Sequence, residues 1–170
     1  MVERQINIRV ATEDDMDLII QLIKELAIYE KLGDAVVTSK EAIRAALFSD
    51  NPSGEVLIGE LGGEPVGFAL FFHNYSTFLG KKGLYLEDLF VKPTARGHGI
   101  GKLLLTRLAQ IAVERDCARM EWSVLDWNAP SIAFYKSLGA LPMDEWTVFR
   151  LTTDKIRALA EQTQPALSDK

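Results

Sequence analysis

The start of the chain alternates first with the period of a strand and then with that of a helix. Residues 6–10, Ile-Asn-Ile-Arg-Val, place apolar side chains at every second position. A helix is predicted to follow from Thr12, where Thr12 and Asp15 form a variant of the capping box. Apolar residues then recur at helical spacing, and Gly33 is expected to end this first helix.

The next part of the chain predicts a second helix and then β structure. The helix should begin at Thr38, with Thr38 and Glu41 as its capping box. Residues 55–61 and 65–73 are predicted to be two strands joined by a short hairpin loop, and residues 84–92 a third strand.

The third strand changes phase near its middle. Leu84 and Leu86 share one face of a regular strand, but the apolar positions from Leu89 onward fall on the other. A one-residue slip at Glu87-Asp88 is what a β-bulge produces. A central strand buried on both faces would give the same pattern, so both interpretations stay open at this point.

The second half alternates helices and strands. It is predicted to hold a helix at 100–116, a strand at 119–125, a short helix from Asn128 to Gly139, a strand at 147–151 and a helix at 154–161. This order predicts an α/β layer sandwich with a mixed sheet. We expect a single domain over residues 1–161 and a disordered tail at 162–170.

Composition and charge exclude several classes of function. The 170 residues are 48% apolar and 25% charged, which is typical of a globular domain with a real core. A net charge of −5 gives no basic footprint for nucleic acid, and no apolar run is long enough for a membrane span. The one cysteine, Cys117, excludes an intrachain disulfide, which favours a cytoplasmic location and an inert thiol.

A glycine-rich segment stands between the third strand and the long helix. It reads Arg96-Gly97-His98-Gly99-Ile100-Gly101, so backbone N–H groups can approach an anion, helped by the helix dipole and by Arg96. The spacing does not match the P-loop or the dinucleotide-binding motif. A pyrophosphate cradle and a flexible turn that caps the helix are the two remaining interpretations.

Two motifs extend this observation. They are Leu89-Phe90-Val91-Lys92-Pro93 followed by Arg96-x-x-Gly99-x-Gly101, and the run Asn-Ala-Pro-Ser-Ile-Ala-Phe-Tyr-Lys-Ser-Leu-Gly-Ala at 128–140. Together they resemble the GNAT superfamily of N-acetyltransferases, and the resemblance covers residues 6–151. It implies the GNAT fold, a central mixed β-sheet with a bulged, splayed strand and helices on both faces.

The resemblance also implies acetyl-CoA as co-substrate and no metal. Its pyrophosphate would bind the loop amides, and a backbone N–H near Leu89 or Phe90 would polarise the thioester carbonyl. The residues that the resemblance assigns to acetyl-CoA are Leu89, Phe90, Val91, Arg96, Gly97, His98, Gly99, Ile100, Gly101, Lys102, Asn128, Ala129, Pro130, Ser131 and Tyr135.

Acetyl transfer to an amine needs a base and an acid. At pH 7 only about one in 2,500 molecules of an amine with a pKa near ~10.4 is neutral, a barrier of roughly 4.6 kcal/mol. Glu87 is the candidate base, acting through water, although a solvated acidic pair with Asp88 is the simpler interpretation. The resemblance assigns protonation of the departing sulfur to Tyr135, which could instead be a core aromatic residue beside Phe134.

Three segments narrow the acceptor. They are the runs at 22–30 and 85–91 with 96–101, and Trp127-Asn128. These resemble the spermidine/spermine acetyltransferase group, which includes diamine acetyltransferases and a relative that acts on thialysine. Positions that correspond to substrate contacts in that group, or that flank the same cavity, are Tyr29, Glu30, Ser76, Thr77, Glu87, Asp88, Glu121, Trp122 and Ser123.

One departure favours an amino-acid acceptor over spermine. Ser76 stands where polyamine-type members carry an aspartate, and Ser76-Thr77 together with residues 124–128 is more similar to the thialysine-type branch. We therefore expect a thialysine-like or lysine-like amine. A protein or peptide acetyltransferase and a catalytically silent acyl-CoA sensor are the alternatives. The resemblance further implies a homodimer, with some support from the apolar residues Trp146, Val148 and Phe149.

Overall fold

The computed structural model describes residues 5–161, so the predicted tail at 162–170 lies outside the described residues. The elements are β1 Ile6–Val10, α1 Met16–Tyr29, α2 Lys40–Leu47, β2 Glu55–Leu61, β3 Glu64–Ser76, β4 Lys81–Val91, α3 Ile100–Glu114, β5 Arg119–Trp122, α4 Ala129–Ser137 and α5 Thr153–Ala160. They fall into two units, with the boundary after Trp127. Every helix within the described part is too short or too polar to span a bilayer.

The five strands of the first unit form one mixed sheet in the order β1-β2-β3-β4-β5. The first four are antiparallel to their neighbours, and β5 is parallel to β4. Leu70 of β3 lies opposite Asp88 and Phe71 lies opposite Leu86, so Glu87 is an extra residue. This confirms the predicted bulge and explains the phase change, because the extra residue brings Leu86 and Leu89, opposite Phe71 and Ala69, to the same face of the sheet.

Helices cover both faces of this sheet. On one face α1 and α2 enclose a core cluster of Met16, Ile19, Leu22, Leu26, Ile43, Val56, Ile58, Phe68 and Phe90. The next residue after Ile58, Gly59, faces the opposite side, where an added Cβ would lie 2.8 Å from Ile100 Cγ2. Glycine is therefore needed for the start of α3 to approach the sheet, and this contact positions the loop before α3.

Two N-caps were predicted, and one is correct. The backbone N–H of Thr12 donates to Asp15 Oδ2 at 2.8 Å, as the capping box requires. The second helix is capped by Ser39, whose Oγ accepts from a first-turn backbone N–H at 3.2 Å. The predicted box of Thr38 and Glu41 is wrong because Ser39, one residue later, offers the same hydroxyl at the position where the backbone leaves the extended region.

The end of the first helix also differs from the prediction. α1 ends at Tyr29, before Gly33, and the left-handed backbone is adopted by Lys31, with φ of 62°. Gly33 instead begins a short 3-10 turn. The sequence rule fails here because glycine is the usual residue in this conformation and the chain uses lysine.

The predicted strand at 147–151 does not form. Within the described residues this segment pairs with no other strand, and Val148 and Phe149 are exposed. A strand needs a partner for its backbone N–H and C=O groups, and an apolar β-prone pattern alone does not supply one. The α5 helix that follows lies within one residue of its predicted bounds.

Candidate active site

β4 and β5 part at the bulge, which leaves one edge of β4 without a neighbouring strand among residues 5–161. Their parallel pairing ends with Leu86 opposite Trp122, and β5 ends there too, earlier than predicted. Beyond Leu86, β4 continues to Val91 paired with β3. The β5-facing edge of residues 87–91, which include the predicted acetyl-CoA contacts, therefore carries backbone groups that no strand of the sheet satisfies.

Three carboxylates interact where α1 ends and β4 bulges. Asp88 is half-buried and lies opposite Leu70, which packs on the α1 side of the sheet, whereas Glu87 is exposed. Burial, followed by the negative charges of Glu87 and Glu30, raises the pKa of Asp88 to about 6. Burial also raises the pKa of Glu30. Acids that oppose their own ionisation in this way favour the binding of a cation.

Aromatic residues adjoin these carboxylates along the chain, because Tyr29 precedes Glu30 and Phe90 follows Asp88 by two positions. The ring of Tyr29, the last residue of α1, has its centroid 6.5 Å from that of Phe90 and 6.1 Å from that of Trp127. The guanidinium carbon of Arg96 lies 4.4 Å from the Tyr29 centroid, and Lys31 Nζ lies 5.0 Å from the Trp127 centroid. These ring faces thus already attract cations of the chain itself, which is the contact an ammonium group would make.

The glycine-rich segment has the backbone geometry of an anion cradle. Gly97 and Gly99 have φ of 82° and 83°, a region that side chains rarely adopt, so glycine is required at both. Gly99 is the N-cap of α3, and the amides of Ile100, Gly101 and Lys102 begin the helix without an acceptor inside it. These amides and the helix dipole fit a pyrophosphate such as that of acetyl-CoA.

The side chains of this segment are held by nearby backbone carbonyls. Arg96 Nε donates to the carbonyl of Val91 at 3.0 Å, and His98 Nδ1 lies 3.2 Å from the carbonyl of Ala95. Arg96 was predicted to add charge near the phosphates. The structure places its guanidinium over the ring of Tyr29, so the side chain of Arg96 extends from the glycine segment to the aromatic residues at the end of α1.

The predicted substrate residues Ser76 and Thr77 lie at the other end of β3. Ser76 is buried, and its Oγ accepts from the backbone N–H of Leu79 at 3.3 Å within the hairpin turn. From Leu70, opposite Asp88, β3 runs on to Ser76, a rise of roughly 20 Å along the strand. Within one chain the structure therefore does not bring Ser76 or Thr77 to the carboxylates.

The predicted residues after the middle of β5 have partners of their own. Glu121 Oε2 accepts from Asn74 Nδ2 at 3.1 Å and lies 2.8 Å from Arg119 Nε, so its charge is compensated. Ser123 Oγ lies 3.1 Å from the hydroxyl of Tyr85. Glu121 is thus a poorer candidate for holding a cation than the carboxylates at the bulge.

The second unit carries the remaining predicted residues on α4. Asn128 is buried and caps this helix, with its side chain accepting from the backbone N–H of Ser131 at 3.4 Å, and Pro130 occupies the first turn. The short helix predicted from Asn128 is therefore confirmed. The ring of Tyr135 lies 5.5 Å from that of the preceding phenylalanine.

Two residues near the Tyr29 ring, Trp127 and Lys31, were missing from the predicted site. Trp127 was noted only as part of a motif, and Lys31 was not considered. Trp127 follows β5 in an irregular segment, so its approach to Tyr29 depends on tertiary packing that no local period reveals. The left-handed backbone of Lys31 has no sequence signal either, because lysine is an uncommon residue there.

Comparison with known proteins gives one family. The model of the acetyltransferase (GNAT) family matches residues 22–140. A thialysine N-epsilon-acetyltransferase from Sus scrofa is 42% identical over 164 residues, covering 90% of this chain and 96% of the relative. The L-ornithine N5-acetyltransferase NATA1 of Arabidopsis thaliana is 32% identical, covering 89% and 86%. An integron cassette protein of V. cholerae has a similar structure, with a TM-score of 0.77, 28% identity and coverage of 92% and 98%.

Proposed function

Because the chain belongs to the acetyltransferase (GNAT) family and is an acetyl-transferring enzyme, we propose that its acceptor is the side-chain amine of a lysine-like amino acid or a diamine. The observation that carries this proposal is the group of Glu30, Glu87 and Asp88 beside the ring of Tyr29. Carboxylates and a ring face both select a cation. The names of the relatives, for thialysine and L-ornithine, point to the same class of acceptor.

Glu87 would prepare the amine for attack. It is exposed at the bulge, where a water molecule can join its carboxylate to the acceptor nitrogen and carry a proton away. Asp88 and Glu30 would hold and orient the ammonium form before the proton leaves. Neutralising the amine at pH 7 is the barrier of roughly 4.6 kcal/mol that this arrangement addresses.

Acetyl-CoA, when bound, supplies the acetyl thioester. The chain would hold its pyrophosphate with the amides of residues 97–102, supported by the positive φ values of Gly97 and Gly99. The open edge of β4 would offer a backbone N–H near Leu89 or Phe90 to the acyl oxygen, where negative charge develops. The amine would attack directly while both substrates are bound.

The role of the second unit is proposed from the family resemblance of its first helix. Tyr135 would donate a proton to the departing sulfur, since a tyrosine hydroxyl is neutral at pH 7 and can act as an acid. Asn128, Ala129, Pro130 and Ser131 would contact the cofactor. We also propose that residues 1–161 act as one acetyltransferase domain.

Assembly and location complete the proposal. We propose a homodimer, supported by the exposed apolar residues Trp146, Val148 and Phe149, which are 72%, 81% and 91% exposed. Ser76 and Thr77 would contact the acceptor only if a second chain supplies them or the hairpin moves. The segment 121–123 would flank the acceptor cavity within the same chain, since Trp122 lies opposite Leu86, next to the bulge. For the proposed homodimer, light scattering should show the mass of two chains.

A cytoplasmic location is supported by the unpaired Cys117.

The proposed acceptor class is tested by measuring thiol release from acetyl-CoA with a panel of amines. We expect turnover with thialysine, lysine, ornithine and diamines. Turnover restricted to peptides would favour a protein acetyltransferase, and binding of acetyl-CoA without turnover would favour a sensor. Either result would overturn the proposal. Ser76→Asp should raise the rate with polyamines if Ser76 helps to exclude them, and an unchanged rate would remove Ser76 from the site.

A further inference from the structure

Lys31 adopts a backbone conformation that a lysine rarely takes. The N–H of Lys31 donates to the carbonyl of Ile28 at 3.1 Å, and the N–H of Leu32 donates to that of Ala27 at 2.8 Å. These two bonds define a Schellman motif in which Lys31, with φ of 62°, occupies the position where glycine is usual. Non-glycine residues held in this region are strained, and such strain is concentrated at functional sites.

The side chain of Lys31 lies beside the acceptor group described above. Its Nζ is 5.0 Å from the Trp127 centroid, and Trp127 contacts Tyr29, which contacts Phe90. A row of rings thus leads from the bulge, where Asp88 lies, to the ammonium of Lys31. Trp127 is 48% exposed, so a small molecule can reach this row from solvent.

The two ends of the row carry opposite charge. Glu30, Glu87 and Asp88 form the negative end, and Lys31 forms a positive end. A diamine is positive at both ends and would be repelled by Lys31. A lysine-like amino acid has an ammonium at the tip of its side chain and a carboxylate at its α-carbon, so its charges match the row.

We propose that Lys31 binds the α-carboxylate of the acceptor and thereby selects amino acids over diamines. This inference rests on the proposed function, since it concerns the acceptor of the same reaction. The acceptor's side-chain amine would lie at the carboxylates of the bulge while its carboxylate accepts hydrogen bonds from Lys31 Nζ. Lys31 is a specificity-determining residue in this account and takes no part in the transfer of protons.

Two other cations, Arg96 and Lys92, have partners within the chain, and the guanidinium carbon of Arg96 also lies 5.9 Å from the Phe90 centroid. Arg96 Nε donates to the carbonyl of Val91, and its guanidinium stacks on Tyr29, next to the glycine segment. Lys92 Nζ lies 3.8 Å from Glu25 Oε1. Lys31 makes its contact with an aromatic face, which leaves the three N–H groups of its ammonium able to donate hydrogen bonds to a carboxylate.

The test compares acceptors that differ only in the carboxylate. Lysine is paired with cadaverine and ornithine with putrescine, and kcat/KM is measured by thiol release from acetyl-CoA. The variants are Lys31→Met, which keeps the stem but removes the charge, and Lys31→Arg, which restores it. Lys24→Met is the matched control, because Lys24 is an exposed lysine on α1 that belongs to neither substrate site.

The expected result is a change of selectivity. Lys31→Met should raise KM for the amino acids about tenfold with kcat nearly unchanged, as expected when a charged hydrogen bond to the bound substrate is lost. KM for the diamines should fall, because a repulsive charge has been removed. Lys31→Arg should retain most of the wild-type preference, and Lys24→Met all of it.

Three outcomes would overturn the inference. If Lys31→Met leaves the ratio of amino acid to diamine unchanged while wild type is active, Lys31 does not bind the carboxylate and the proposed function still stands. If Lys31→Met lowers kcat/KM equally for both classes together with the melting temperature, Lys31 only holds Trp127 in place. If wild type acetylates neither these four amines nor thialysine, the proposed function fails and the role of Lys31 fails with it. As a check on strain, Lys31→Gly should lose the preference without lowering the melting temperature.

Discussion

Two carboxylates with little exposure differ in their surroundings: Asp15 lies at the junction of β1 and α1, and Asp88 lies at the bulge of β4. The surroundings lower the pKa of Asp15 and raise the pKa of Asp88. Asp15 accepts hydrogen bonds from two nitrogens of Arg9 at 2.7 and 2.8 Å and from the backbone N–H of Thr12 at 2.8 Å. The bonds from Arg9 contribute most to lowering its pKa to about 2. Asp88 is partly buried and lies near the negative charges of Glu87 and Glu30. Burial first, and then these two charges, raise its pKa to about 6.

This difference separates a carboxylate that serves the fold from one that we propose binds the substrate. The negative charge of Asp15 has its partners within the chain, so the ionised form stabilises the folded state. Asp88 has no such compensation for its charge from the groups that shift its pKa, and its ionised form lowers stability at neutral pH. Proteins retain such a local conflict where a ligand resolves it, and in our proposal that ligand is the ammonium group of the acceptor.

The largest expected effect comes from Glu87, the exposed member of the bulge group. Glu87→Gln should lower kcat/KM on the order of 100- to 10,000-fold, because the amide cannot take a proton from the amine. The melting temperature should be unchanged, since Glu87 is exposed. Glu64→Gln, at the β2–β3 hairpin, is the control. Retention of more than about a tenth of the activity by Glu87→Gln would exclude it as the base.

The second prediction tests the structural side of the comparison. Asp15→Asn should lower the free energy of unfolding at pH 7 by about 2–3 kcal/mol, because Arg9 loses a paired charge that is largely buried. Urea denaturation measures this, and the kcat/KM of the folded fraction should stay within about twofold of wild type. A loss of activity without a loss of stability would contradict the assignment of Asp15 to the fold.

Replacing Asp88 should change the stability in the opposite direction to replacing Asp15. Asp88→Asn should raise the free energy of unfolding at pH 8 by about 1–2 kcal/mol, because an uncompensated charge is removed. The same variant should raise KM for the amine. Urea denaturation and thiol release measure the two effects on one preparation. A destabilised variant would show that Asp88 has a structural partner and would remove the contrast with Asp15.

The smallest expected effect is the pH dependence of the stability that Asp88→Asn gains over wild type. The pKa of Asp88 is about 6 in the folded state and 3.8 ordinarily, so the folded state binds more protons between these values. Wild type should therefore lose stability as pH rises from about 4 to 6, by about 1 kcal/mol per pH unit relative to Asp88→Asn. The stability that Asp15 contributes is instead lost as pH falls from about 4 to 2, since its pKa in the folded state is lowered. Parallel stability profiles for wild type and Asp88→Asn would contradict the shift.

Patterns that depend on neighbouring residues were predicted well. The phase change between Leu86 and Leu89 located the bulge at Glu87, and the glycines at 97 and 99 stand where the backbone takes positive φ, because both are consequences of local backbone geometry. The strand at 147–151 was predicted wrongly, since forming a strand needs a partner that the local pattern does not specify.

Features that depend on distant residues were not visible in the sequence. The raised pKa of Asp88 arises from burial against the sheet and from Glu30, which is far away along the chain. The approach of Trp127 to Tyr29 and Lys31 likewise requires the completed fold. Ser76 was predicted to contact the acceptor, but the length of β3 separates it from the carboxylates of its own chain.

The most direct test of this account is a carbon-detected NMR titration of the Asp88 side-chain carboxyl, with and without a saturating lysine-like acceptor. We predict a pKa of about 6 in the free protein and a clearly lower value when the ammonium group of the acceptor is bound. A pKa near the ordinary 3.8 in the free protein, or one that does not respond to the acceptor, would contradict it.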